Sequence, residues 1–249
     1  MKTISSLTLV QFLLAAFCLL TGPNLWADSH AIATAKDLTN PSGPTWTMDM
    51  TSKISGDNIT INSKGLLGTE VLLDEKATSK ISDGSLIEYS VQHHQFSDEG
   101  TLKVTGDKGV LEYTEKDQKK KIKEFKFDQP LLSPGNMEAF MRSHFEELKK
   151  KGKLYVDFFV WERRDTVDFV IKYVGAEKVK TEAGEIEQNH FRLSVSNVFL
   201  SAVVDPIDIW YSQDMSQLLR YKGRMAIKKK DPKTSELKGL DAEVIYTYK

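Results

Sequence analysis

The chain has 249 residues, with 34 Lys and Arg against 35 Asp and Glu, 15 Gly, 7 Pro and a single Cys. A 40% apolar fraction is too high for a disordered chain, and Gly and Pro are too sparse for a low-complexity or collagen-like one. A formal net charge of −1 gives no general electrostatic reason to bind nucleic acid, so none is expected as a partner.

Residues 1–27 read as a secretory signal peptide. Lys2 supplies the positive charge, and residues 7–20 form an apolar stretch. At about 1.5 Å per residue that stretch is too short to cross a hydrocarbon core of about 30 Å. Gly22-Pro23 then breaks the helix, and Ala27 offers a small residue for cleavage. Cys18 follows Phe17, whereas a lipoprotein signal has a small residue there, so lipidation is not expected. Removing the signal also removes the only cysteine. An exported, cysteine-free chain fits a bacterial periplasm, and its length lets it bury a core without disulfides. No later segment is apolar enough to span a membrane, so no anchor is expected in the mature form.

Residues 28–44 are polar, contain Pro41 and Pro44, and are expected to form a flexible leader before a single β-rich domain over residues 45–249. From Thr45 the apolar period is two: Trp46, Met48 and Met50 alternate with Thr47, Asp49 and Thr51. Further strands are predicted at Ile59 and Ile61, over 85–96 with Ile87, Tyr89, Val91 and His93 on one face, over 101–105, 110–114 and 121–127. One segment departs from this rhythm. Met137, Phe140, Met141, His144, Phe145 and Leu148 recur at helical spacing, with Asn136 placed to cap the start and Gly152 just past the end. Beyond it, Val156 and Phe158 alternate with Tyr155, Phe159 and Trp161, a strand expected to be covered on both sides. Further alternations follow: Val167, Phe169, Ile171 and Tyr173; Phe191, Leu193 and Val195; Ile207, Ile209 and Tyr211; Leu219, Tyr221, Met225 and Ile227; and Leu240 to Tyr248. Gly223 fits its strand as a bulge or bend. The expected fold class is therefore mainly β with one α-helix. It is a curved antiparallel sheet or half-barrel of about ten strands, with the amphipathic helix on its concave face.

No catalytic motif is present, so no catalytic residue, metal or cofactor is assigned. His93 and His94 point to opposite faces of a strand and cannot share an ion without a bulge. His144 reads as a hydrogen-bonded core histidine, and Asp205 and Asp208, flanking Pro206, as turn formers. Lys119–Lys121, Lys149–Lys151 and Lys228–Lys230 read as solvated ends of elements. The inward aromatic and methionine set is more suggestive: Met141, Phe145, Phe158, Phe169, Tyr173, Tyr211, Tyr221 and Met225 form either a packed core or the lining of an apolar cavity. The apolar stretch 198–204, with Val198, Phe199 and Leu200, is a candidate partner surface.

The C-terminal third carries a recognisable order. Gly175-Ala176-Glu177-Lys178-Val179 leads to Thr181, Ala183 and Gly184, then Phe191-Arg192-Leu193, Asp208 with Trp210-Tyr211, and Leu218-Leu219-Arg220-Tyr221. Over residues 165–249 this resembles bacterial envelope domains related in architecture to the LolA/LolB lipoprotein carriers. The resemblance implies a curved antiparallel sheet with a helix across its mouth, able to hold an acyl chain. The expected function is non-catalytic binding or carriage of an apolar or lipid-like ligand in the periplasm. An envelope scaffold acting on partner proteins through a surface is the alternative, and a hydrolase the second.

Overall fold

The computed structural model describes residues 27–116, 119–181, 184–197, 204–231 and 233–249. The signal segment 1–26 and residues 198–203, with Val198, Phe199 and Leu200, lie outside them. Fifteen strands form one sheet. In the first half these are β1 (Ser29–Asp37), β2 (Thr45–Ser55), β3 (Asn58–Leu67), β4 (Glu70–Lys80), β5 (Leu86–His93), β6 (Asp98–Thr105), β7 (Lys108–Thr114) and β8 (Lys120–Lys126). After the short β9 (Leu131–Leu132) come the helices α1 (Met137–Ser143) and α2 (Phe145–Lys151). Then follow β10 (Lys153–Val160), β11 (Asp165–Thr181), β12 (Gly184–Val195), β13 (Ile207–Ser212), β14 (Leu218–Lys230) and β15 (Leu237–Tyr248).

The order across the sheet is β8-β7-β6-β5-β4-β3-β2-β1-β15-β14-β13-β12-β11-β10-β9. Pairing is antiparallel throughout except between β9 and β10. The class is the one expected, with more strands. Residues 28–44 are not a leader: β1 lies in the middle of the sheet, paired with β2 on one side and β15 on the other. Its inner face is Ala31, Ala33 and Ala35, all buried. Alanine has little strand propensity, so the alternation there carries a weak signal.

The sheet curls on itself and remains unclosed, its two open edges being β8 and β9. The edge carrying β10 lies inside the curl. Val156 and Phe158 enter one apolar cluster with α1 and β11–β13, while Phe159 and Trp161 enter another with the inner faces of β4–β7. Phe125 of β8 stacks on Phe159 with ring centroids 5.8 Å apart. Burial on both faces, expected for this strand, holds at these positions, while Tyr155 is exposed. Each fully buried large side chain contributes about 1.5–3 kcal/mol, so this overlap of layers is a principal stabilising element.

Polar groups stitch the overlap. The Gln95 side chain pairs with Lys228 of β14, its Nε2 donating to the Lys228 carbonyl (2.9 Å) and its Oε1 accepting from the Lys228 N–H (2.9 Å). That edge of β14 is open past Lys222, where its ladder with β13 ends; against β15, β14 also bulges, its register slipping between Arg224 and Lys228, just after Gly223. Asp98 and Arg164 form an ion pair at 2.6 Å with both side chains nearly buried.

The predicted helix is present but bent into two at His144. The Ser143 hydroxyl donates back to the Phe140 carbonyl (3.0 Å), a bond that bends helices, and the His144 ring stacks on Phe140 at 4.1 Å. A 3-10 turn, Pro134–Asn136, leads into α1 and rests on β4 and β5. Buried Asn136 donates to the carbonyls of Gly84 (3.1 Å) and Leu131 (3.0 Å), tying the turn to the opposite wall. This close approach needs glycine on both sides. A Cβ at Gly84 would lie 2.8 Å from the Phe140 nitrogen, and one at Gly135 would lie 2.8 Å from the Tyr89 ring.

Candidate ligand-binding cavity

Two layers of inward side chains cannot fill a sheet this wide, and between them lies a cavity of about 340 Å³. That is within the usual range of small-ligand pockets, about 300–1,000 Å³. It equals roughly eleven volumes of about 30 Å³, the share of one liquid water. Met48, Ile61, Leu73 and Val91 form the wall from the first half of the sheet, and Phe158, Phe169, Ile207 and Tyr221 the opposite one. Pro134, Gly135 and Met137 close one end, and Met225 and Ala226 of the β14 bulge stand near the other.

Of the aromatic and methionine set picked from the sequence, Phe158, Phe169, Tyr211, Tyr221 and Met225 line this space. Met141, Phe145 and Tyr173 do not. Met141 is fully buried in the core beneath α1. Phe145 lies beyond the helix bend, edge-on to Tyr173 and Phe191, each at 6.0 Å. Tyr173 turns its hydroxyl to Asn189 Oδ1 at 3.0 Å. Of the three, only Phe145 lies past the bend at His144; Met141 precedes it and Tyr173 belongs to β11.

The wall contributed by β4 and β5 was not legible as a binding surface. Glu75 projects inward and accepts a hydrogen bond from the Tyr89 hydroxyl. Burial pushes the Glu75 carboxyl above its usual range; the Tyr89 hydrogen bond opposes this and nearby Glu162 adds to it. Burial likewise holds the His93 imidazole below its usual value, against the opposing pull of the Ala226 carbonyl. His93 Nε2 lies 3.1 Å from that carbonyl, which can only accept, so Nε2 carries the proton. His93 Nδ1 and the Tyr211 hydroxyl are buried on the cavity wall without hydrogen-bond partners. His94 faces outward to Asp74 at 2.8 Å. Glu138, on α1, is pushed up by burial against the opposing charge and hydrogen bond of Arg142.

A second polar cluster sits on the outer face of β11–β14. His190 is 5% exposed and lies between Glu177 Oε1 (2.6 Å) and Asp208 Oδ1 (2.8 Å). It stacks on Trp210 at 4.5 Å, and Arg220 stacks on the other side of that indole at 4.5 Å. Arg192 completes the cluster with two bonds to Asp208. Burial raises the Asp208 carboxyl, but hydrogen bonds from Arg192 and His190 outweigh it and hold it below the usual range. Asp208 is thus a strand residue inside a network, not a turn former. With His190, Glu177, Asp208 and Arg192 engaged by one another, the cluster reads as a clamp across four strands. Among the basic runs, Lys228 pairs with Glu162 and Lys229 with buried Asp37, so these hold strands together rather than standing free in solvent.

Among the described residues no helix is long and apolar enough to cross a membrane. No protein-family model matches the sequence, and no curated protein matches it. Solved structures do. A beta-barrel-like protein of the domain of unknown function DUF1849 from Brucella abortus is similar over 89% of this chain and 96% of its own, with a TM-score of 0.50 and 10% identity. The hypothetical lipoprotein YmcC from Escherichia coli aligns over 99% of this chain and 98% of its own at 9% identity, with a TM-score of 0.34. At such identities the first likeness concerns the fold alone: this chain has a beta-barrel-like architecture shared with the Brucella protein.

Proposed function

We propose that the protein is a non-catalytic binding or carrier protein that takes an apolar or lipid-like molecule into the space between the two layers of its curled sheet, and that it works in the bacterial envelope after export. The observation that carries this reading is the apolar cavity of about 340 Å³, built by side chains of both layers and closed at one end by the turn into α1. A packed core leaves few voids larger than a water molecule, so a space of this size needs an occupant or solvent. The signal segment supports the location.

The test is titration with Nile red, a neutral apolar fluorophore, alongside mass spectrometry of lipid extracts from protein purified out of the envelope. Saturable binding is expected, weakened about tenfold by Met225→Trp, which places an indole in the cavity. Absence of saturable binding by the parent protein refutes the reading.

A further inference from the structure

The polar groups on the cavity wall are unbalanced in a way an apolar ligand alone does not explain. Among the described residues, the cations near the cavity are already matched. Arg224 is held by Asp241 through two bonds of 2.6 and 2.9 Å, Lys228 by Glu162 at 2.6 Å, and Arg142 by Glu138. Glu75 has no such match. Among the described residues its carboxylate takes one hydrogen bond, from neutral Tyr89, and no Lys, Arg or His reaches it. A half-buried carboxylate set in an apolar wall without a cation is costly to keep, and no fold-level need for it is visible.

The second free group has the same polarity. With its proton on Nε2, the unpartnered Nδ1 of His93 is an acceptor, and the residue is only 2% exposed. Val91 stands opposite Glu75 and His93 opposite Leu73, so Glu75 and His93 are diagonal neighbours on one face, about 7–8 Å apart between Cα atoms. The buried Tyr211 hydroxyl can take either role. The cavity therefore presents one unmatched carboxylate with a second, buried acceptor beside it, and keeps its cationic donors occupied.

Resting on the binding reading above, we infer that the ligand is an apolar chain ending in a protonated amine, seated with its ammonium between Glu75 and His93. An anionic head, carboxylate or phosphate, meets acceptors and a like charge in the same place and is disfavoured.

Competition against Nile red with three probes of one chain length, dodecylamine, dodecanol and dodecanoic acid, at pH 7 tests this. Dodecylamine is expected to bind about tenfold or more tighter than dodecanoic acid, as a charge-assisted hydrogen bond in a buried site allows. Glu75→Gln, which keeps shape and the acceptor for Tyr89, is expected to bring that ratio to within about threefold, while Glu112→Gln on the outer face leaves it unchanged. If dodecanol competes and dodecanoic acid equals or exceeds dodecylamine, the head-group inference fails and the carrier reading stands. If none of the three competes and Nile red itself does not bind, the carrier reading fails with it. The ratio measured on the parent protein decides the matter even if the Glu75 variant does not fold.

Discussion

Gly135 is the point at which the helical end of the cavity is pressed onto its far wall, and Gly135→Ala tests how tightly. A methyl there would lie 2.8 and 3.0 Å from two carbons of the Tyr89 ring and closer still to the Ala77 methyl. Non-bonded carbons rest at about 3.5–4.0 Å, so the shortfall against the ring is up to about 1 Å. Neither neighbour can swing away. The Ala77 methyl is fixed to its backbone, and Tyr89 is 2% exposed with its hydroxyl bound to Glu75. The turn Pro134–Asn136 must lift instead. Overpacking of this kind costs about 1–3 kcal/mol, and straining the two Asn136 bonds adds about 1 kcal/mol. The expected loss is about 2–4 kcal/mol, seen as a lower urea midpoint and a Tm lowered by about 5–15 °C. Adding Ala77→Gly should return at least about 1 kcal/mol beyond additivity, because it removes the methyl that the new one strikes. A loss under about 0.5 kcal/mol, or no coupling between the two sites, refutes the contact.

Gln95→Leu keeps the bulk but removes both bonds to the Lys228 backbone; at about 0.5–1.5 kcal/mol each it should cost about 1–3 kcal/mol and speed hydrogen exchange of the Lys228 amide. Asp208→Asn should destabilise by about 1–3 kcal/mol at pH 7 in urea melts, the exposed Arg192 partner limiting the loss. Because the folded state holds Asp208 and Glu177 below their usual range, their contribution is complete above the unfolded carboxylate pKa and fades as pH falls through the folded values. The parent's acid limb should therefore flatten in the Asn variant. Glu75 runs the other way: its raised carboxyl, facing Tyr89, Glu162 and His93, makes the folded state lose stability as pH rises through its folded pKa. Glu75→Gln should raise Tm at pH 8 and lose that advantage near pH 4, and a Tm lowered at pH 8 would contradict an unmatched buried charge.

What the sequence disclosed depended on how cleanly each segment keeps its period. Trp46, Met48 and Met50, or Phe169 and Ile171, alternate without interruption and were legible as strands. The strand Glu70–Lys80 was not. There Leu72 and Leu73 are adjacent and both buried, beside a register shift in the pairing of β3 with β4, and Glu75 is the inward residue where an apolar one would be expected. The same substitution of polar for apolar hid the most informative part of the cavity wall. Met141, Phe145 and Tyr173 share the inward period of the lining residues, which does not separate cavity from core; the bend at His144, past which Phe145 lies, depends on a local Ser143 bond that spacing does not reveal. His190 falls on the polar phase of its strand, but its partners come from residues 177 and 208, which only the sheet brings together.

The pairing of β1 with β15 has a consequence for how the molecule is made. The middle of the sheet joins Ala31 to Tyr248 and Asp37 to Ala242, so its first and last strands seal each other. Hairpins on either side can form early from local contacts, whereas the seam between them joins strands far apart in sequence and forms after them. Closure of β1 on β15 is therefore the long-range step on which the two halves of the sheet depend.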